Sequence, residues 1–420
     1  MSAPNDDIAS LEAQLAQVSL EEPVDFDRSV PSFEPLTKSP TFVAEEHNSP
    51  IALLNNHFFE DQAKKDNFAF MYARAMKWAA GADVDEAVAV ETGIAFTEHI
   101  VKFNAEKKQF ERIFIRDGER SFNEPKHRIA LCHALTFLQE RVLNNDYHQG
   151  LSMIVSFLMC FLPLPHVLAM IIKAQKSLIT DVWRSQSVVA ATDGYVFEKI
   201  LSEEYPAVFT HLRKHYVIPE LYTSKYWCAF ALHILPFQSL SVLFDQFWCG
   251  EGVLALFRLM LLVVASQEKA ILAANGTDTV LELMSLDHKV LTASHVNRII
   301  YNVDADGVAA TEHSEEEAAY RNKVEKIVDS LRDKDVLQAK RTEAYTVNIL
   351  PRVARATADF AKEKTPDCGR EECSNREEQG FYYCLQCKIH LCEDCAYSAW
   401  GDHNDDDHDV RMNEDLDDEE

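Results

Sequence analysis

From about residue 52 to residue 300, apolar side chains recur at three- and four-residue intervals, the spacing that lines one face of a helix. The clearest runs are Arg128–Leu138, Val188–Leu201 and Val253–Ala265. Period-two alternation, the mark of a half-buried strand, is scarce, so the pattern predicts an all-helical body. The longest apolar stretch, Leu151 to Ile172, has the length of a membrane span. Pro163, Pro165 and His166 interrupt it, which predicts two shorter buried helices around a proline turn. Residues 253–265 are too short to span and contain Arg258, while Tyr226–Leu235 reads as a buried helix ended by Pro236. Farther on, Ser314 stands three residues before Glu317, the spacing of a capping box. It opens a charged helical stretch that runs to about residue 363.

Composition supports the helical reading: only 12 of 420 residues are glycine, few for a turn-dense β fold. Charge changes the picture more. The formal net charge is −27, and it is concentrated at the ends. Residues 1–50 carry ten acids against Arg28 and Lys38, and residues 401–420 carry eleven acids against Arg411. An acidic chain with acidic ends repels phosphate backbones, which argues against nucleic acid as a partner. Residues 1–50 read as a disordered acidic segment. Within it, Ile8, Leu11, Leu15, Val18 and Leu20 have helix-like spacing. The first residues show neither a basic flank nor an apolar core, so no secretory signal is expected and the chain reads as cytoplasmic. Asn302–Gly307 has the look of a calcium loop, but position twelve is His313 and not an acid, so the segment reads as a polar linker.

Ten cysteines occur. Cys132, Cys160, Cys228 and Cys249 lie singly in apolar surroundings, as buried free thiols do. The other six crowd together as Cys368-x4-Cys373-x10-Cys384-x2-Cys387-x4-Cys392-x2-Cys395, followed by His403 and His408. Four pairs of soft or borderline ligands can fill two tetrahedral sites with nothing left over, so the spacing predicts two structural Zn2+ ions. His390, inside the cluster, is a substitute ligand.

Two strings in the helical region carry candidate chemistry: Phe114-Ile-Arg-Asp-Gly-Glu-Arg120 and Tyr147-His-Gln-Gly150. Arg120 can supply a fixed positive charge to a transferring phosphoryl group, and Gln149 can orient an attacking water. The chain has no G-x-x-x-x-G-K-[ST] loop, so a nucleotide acted on in this way belongs to another protein. Taken singly, Arg120 could equally pair with Asp117 on the surface, and Gln149 could cap or brace the helix starting near Gly150.

The ordered text I/F-x-x-D-x-x-R, a helix, and then Y-x-Q-G opening an apolar helix resembles the TBC domain of Rab GTPase-activating proteins. Lys225-Tyr-Trp227 and Leu243–Arg258, with Phe244-Asp245 before a glycine-rich break, resemble its later signature. The likeness covers about 110–275; Arg74-Ala-Met-Lys-Trp78 only faintly echoes the Arg/Trp motif that opens such domains, and position 148 is His where the family usually has Cys. The resemblance implies an all-α domain over 52–300 with Arg120 and Gln149 as catalytic fingers. Asp117 would orient Arg120, and Tyr147 and Gly150 would shape the turn presenting Gln149. The implied partner is a Rab-family GTPase in its GTP form, with a role in membrane trafficking and recruitment to intracellular membranes through the Rab. An inert Rab-binding scaffold is the alternative. The cysteine–histidine array over 366–412 resembles B-box and ZZ-type fingers. That likeness implies a two-zinc cross-brace, with Cys368, Cys373, Cys392 and Cys395 on one ion and Cys384, Cys387, His403 and His408 on the other. Its surface would engage a protein partner. Residues 301–365 read as a charged helical linker and 413–420 as an acidic tail.

Overall fold

The computed structural model describes residues 61–352, apart from 123–124, 186, 233, 288–289, 304–307 and 310–311, and the segments 382–384, 389–391 and 410–412. The acidic segment 1–50, with its amphipathic stretch, and the tail 413–420 lie outside the described residues. The chain divides into two units, the first ending at Ile349 and the second running from Leu350.

The first unit is helical. Fifteen α-helices are described: α1 Asp61–Gly81, α2 Glu86–Ala105, α3 Arg112–Ser121, α4 Pro125–Val142, α5 Gly150–Met159, α6 Leu164–Ser177, α7 Val188–Glu204, α8 Pro206–Lys214, α9 Thr223–Trp227, α10 Phe237–Gln246, α11 Val253–Ala273, α12 Thr277–Met284, α13 Ala293–Ile300, α14 Glu315–Leu331 and α15 Lys334–Ala344. The apolar run 151–172 is indeed split: α5 stops at Met159 and α6 begins after Pro163, whose fixed φ suits the residue before a helix. Nine of the ten residues of α5 are buried, and α11 is buried without a break from Ala255 to Val264. A helix apolar on all sides must sit inside, and α11 does so, packed by α8, α12, α13 and α14.

Arg258 is the one charge in that run, and it is 4 % exposed. Its guanidinium is paired with Glu251, just before α11, and with Glu325 of α14 at 2.7 Å. The predicted capping box is present: Glu317 N–H donates to Ser314 Oγ at 3.2 Å, and Ser314 N–H donates to the Glu317 carboxylate at 3.1 Å. The helices it opens pack on the body. Helix α14 lies on α11 and α15 lies on α7, burying Val324, Val328, Leu331 and Leu337. Around the polar linker, Val303 bridges to Ala309.

Two expectations fail: Cys249, grouped by sequence with the buried thiols, is exposed, and a predicted helix is missing. Tyr226–Leu235 is not a helix: α9 ends at Trp227, and the chain turns through Phe230 (φ 49°) and Ala231 (φ 54°) before α10. The reason is tertiary. The Cys228 carbonyl accepts the Trp183 indole N–H at 3.0 Å, and Ala231 N–H reaches back to Lys225 O, so the helical ladder is interrupted. Phe230 then packs among Trp183, Phe244, Phe247 and Trp248. An unbroken apolar string carries no sign of such a turn.

In the second unit, three short strands form a sheet in the order β2-β1-β3: β1 Tyr382–Cys384, β2 Ile389–Leu391 and β3 Val410–Met412, both pairings antiparallel. Cys384 is in register with Ile389 on one side and Val410 on the other.

Candidate active site

Helix α3 buries Phe114, Asp117, Gly118 and Ser121, residues three, four and seven apart on one face. A carboxylate at such a position must be satisfied internally. Asp117 is 1 % exposed, and three donors converge on it. Arg120, one turn along in the last turn of α3, forms an ion pair with Oδ1, and the Tyr147 hydroxyl donates to Oδ2. Gln149 Nε2 donates to Oδ1 at 3.2 Å. The two candidate fingers thus share one anchor. The Tyr147 hydroxyl is buried, and burial, reinforced by the Asp117 charge, pushes its pKa well above the ordinary phenol value, so it remains a donor. Phe114 meets the Tyr147 ring edge-on at 4.9 Å, and Arg128 Nε donates to Phe122 O at 2.7 Å, closing the end of α3.

Gln149 occupies the N-cap position of α5, but its side chain makes no cap hydrogen bond. It reaches instead across to α3, which removes capping as its role. Arg120 does pair with Asp117, as both the surface reading and the family resemblance expected. The turn before α5 uses two left-handed residues, Asn144 (φ 54°) and Asn145 (φ 61°), the side-chain type that tolerates this conformation best after glycine. Asp146 accepts the Tyr147 N–H at 2.7 Å and the Ser185 N–H at 3.1 Å, tying the turn to the segment that follows α6. Gly150 abuts the Cys228 carbonyl, where a Cβ would collide with the backbone oxygen. Gly150→Ala is expected to cost about 1–3 kcal/mol by overpacking and to displace Gln149. Chemical denaturation checks the first part, and an unchanged midpoint would count against this contact.

Several contacts that matter here lay beyond sequence reasoning. Arg74 and Trp78 of α1 both seize Asp245 at the end of α10: Arg74 Nη2 lies 2.6 Å and Trp78 Nε1 2.7 Å from its carboxylate. The faint opening motif and the Phe244-Asp245 signature are therefore one clamp. Asp193 of α7, 1 % exposed, accepts from Trp227 Nε1 at 3.0 Å and from both Arg341 Nε (2.6 Å) and Nη2 (2.7 Å) of α15. Its partners stand 34 and 148 positions away, so no spacing reveals them. His148 Nδ1 accepts the Gly150 N–H at 3.0 Å. Of the predicted metal ligands, Cys384 ends β1. Cys368, Cys373, Cys387, Cys392, Cys395, His403 and His408 lie outside the described residues, whereas the alternative ligand His390 sits in β2.

Residues 94–272 match the family model described as the Rab-GTPase-TBC domain, a span containing Asp117, Arg120, Gln149 and Asp245. The matched span lies within the all-helical first unit, from α2 to α11. The chain is similar to the mouse protein "TBC1 domain family member 10A", 25% identical over 150 residues, or 34% of this chain and 30% of the relative. It is also similar to the Drosophila melanogaster protein "TBC1 domain family member whacked", 25% identical over 118 residues, or 28% of this chain and 32% of the relative. The chain thus spans about a third of the length of each of these relatives. Among solved structures, "Crystal structure of the Chlamydomonas flagellar RabGAP TBC domain" aligns over 60% of this chain and 84% of that one, at 16% identity and a TM-score of 0.43. No helix among the described residues is long and apolar enough to cross a membrane.

Proposed function

We propose that the helical domain accelerates GTP hydrolysis by a Rab-type small GTPase, with Arg120 and Gln149 acting in trans. The observation that carries this reading is the convergence of both side chains on the buried Asp117 carboxylate. Asp117 holds them side by side without itself being open to solvent. Arg120 keeps its Nε and Nη1 donors without partners among the described residues, and its side chain is 35 % exposed. A guanidinium so placed can give two parallel bonds to phosphate oxygens as charge develops on them. Gln149 uses its amide nitrogen on Asp117 and leaves Oε1 to accept from an attacking water. The geometry suits phosphoryl transfer, which asks for positioning and charge and little covalent chemistry. Single-turnover GTP hydrolysis across a panel of GTP-loaded Rabs tests the reading. Acceleration by the wild type, lost in Arg120→Ala, is the expected result. No acceleration on any Rab overturns it in favour of an inert Rab-binding scaffold.

We further infer that the second unit is a structural zinc module. The support is backbone placement: Cys384-x2-Cys387 spans the short connection from β1 to β2, and His408 lies two residues before Val410, the register partner of Cys384. The described strands set Cys384 across from Ile389 at the start of β2 and Val410 at the start of β3, so segments far apart in sequence meet at one end of a small sheet. Cys368, Cys373, Cys392 and Cys395 would hold one ion and Cys384, Cys387, His403 and His408 the other. The ions would stabilise the fold and take no part in hydrolysis, and the module's surface would serve a protein partner. Metal analysis of the purified chain should find about two zinc ions, the number that eight ligands satisfy at four per ion. Far fewer would refute the assignment.

A further inference from the structure

His148 stands between the two residues that reach Asp117, yet it touches neither Asp117 nor any other side chain by a recorded hydrogen bond among the described residues. Its Nδ1 instead accepts the N–H of Gly150, two residues on, at 3.0 Å. This is the geometry of an Asx turn, in which a side-chain acceptor closes a loop onto the backbone two positions later. Gly150 opens α5, and its N–H is among those that have no partner within the helix. The bond therefore spans Gln149, joining the His148 ring to the Gln149–Gly150 peptide unit. Gly150 is jammed on its other side against the Cys228 carbonyl, so it cannot move to find another acceptor.

We propose that His148 is the positioning residue for Gln149, fixing the turn that presents the carboxamide by lending its Nδ1 lone pair to the Gly150 N–H. The inference rests on the reading of Gln149 as a hydrolytic finger, but the turn itself can be tested without a GTPase. Only an imidazole unprotonated at Nδ1 can accept, because both nitrogens of an imidazolium are donors. The surroundings favour the neutral form. Burial lowers the His148 pKa below its ordinary 6.5, with the Asp146 carboxylate opposing it more weakly. Other charged or titratable groups near the turn are Asp117 and Arg120 from α3, Tyr147 beside it, Arg184 after α6, and Cys228, whose carbonyl faces Gly150 while its thiol turns to Val182 O. The sign follows: a depressed pKa keeps the bond intact above the ordinary value and loses it as pH falls through the lowered one.

Two variants separate positioning from general support. His148→Asn restores a side-chain oxygen that can accept the same N–H at any pH, whereas His148→Phe keeps a ring of similar size and removes the acceptor. Glycine-selective amide exchange reads the turn directly. Gly150 N–H should exchange roughly 3- to 10-fold faster in His148→Phe than in wild type, the range expected for losing one neutral hydrogen bond. It should remain protected in His148→Asn. In single-turnover hydrolysis, kcat and not KM should fall by a similar factor in His148→Phe and recover in His148→Asn. The ratio of wild type to His148→Asn should stay level down to about pH 6.5 and decline only below it, as pH falls through the lowered His148 pKa. Equal Gly150 protection in wild type and His148→Phe, or a pH-independent ratio in an active domain, overturns the proposal. If no Rab is accelerated at all, the hydrolytic reading fails while the amide measurement still decides whether His148 holds the turn.

Discussion

Arg120→Ala should lower Rab-stimulated GTP hydrolysis about 10³- to 10⁵-fold, the contribution an arginine finger makes, equivalent to roughly 4–7 kcal/mol of transition-state stabilisation. The loss should appear in kcat more than in affinity for the GTPase, because the guanidinium meets phosphate charge that grows only as the bond to the leaving group breaks. Folding should be weakened as well, by about 1–3 kcal/mol, because the buried Asp117 carboxylate loses its counter-ion. The cost is held down because 35 % of the Arg120 side chain is exposed and Asp117 keeps the Tyr147 hydroxyl and the Gln149 amide as donors. Arg120→Lys should rescue little, since an ammonium is a point charge and cannot give two parallel bonds. If Arg120→Lys, which keeps a counter-charge beside Asp117, restored rate and stability together, Arg120 would be reduced to the ion-pair partner of Asp117. A variant that stays folded but hydrolyses at the GTPase's own rate would sustain the finger.

The largest stability effect is expected at Arg341→Ala, far from the candidate fingers. Asp193 is buried in α7, and Arg341 of α15 covers its carboxylate with two donors. Removing the cation leaves a buried charge with only the Trp227 indole and no counter-ion, a change that typically costs about 3–5 kcal/mol. Because 28 % of the Arg341 side chain meets solvent, the lower end, about 3 kcal/mol, is expected. Chemical denaturation monitored by tryptophan emission reads it. A shift below about half a kcal/mol would show that the pair is only a surface contact. The consequence reaches the site: Trp227, held by Asp193, is followed by Cys228, whose carbonyl presses on Gly150. Residues beyond the matched span 94–272 thus brace the turn that carries Gln149.

Much of this was legible in the primary structure, for reasons that are local. The split between α5 and α6 follows from proline geometry, and the start of α14 from a cap and its partner three residues on. The two strings holding Arg120 and Gln149 are short enough to be read directly. What the string could not carry was any bond between distant positions. Tyr226–Leu235 has the apolar density of a buried helix, yet Trp183 takes the Cys228 carbonyl out of the ladder, and the chain turns. Arg258 looked like an interruption of an apolar run until Glu325, 67 residues later, supplied its counter-charge. Arg74 and Trp78 gave a faint motif that gains meaning only when α1 meets Asp245.

Sequence alone determined that the body from about 52 to 300 is helical, that its longest apolar stretch is broken by prolines, and which arginine and glutamine to suspect. Periodicity, proline and capping act within a few residues, so they are written in order along the chain. Only the tertiary structure decided that Arg120 and Gln149 share the Asp117 carboxylate, that Gly150 is pinned by Cys228, and that α14 and α15 belong to the same core. Those are meetings between elements, brought about by burying apolar faces, and a buried charge takes whichever partner that packing sets beside it.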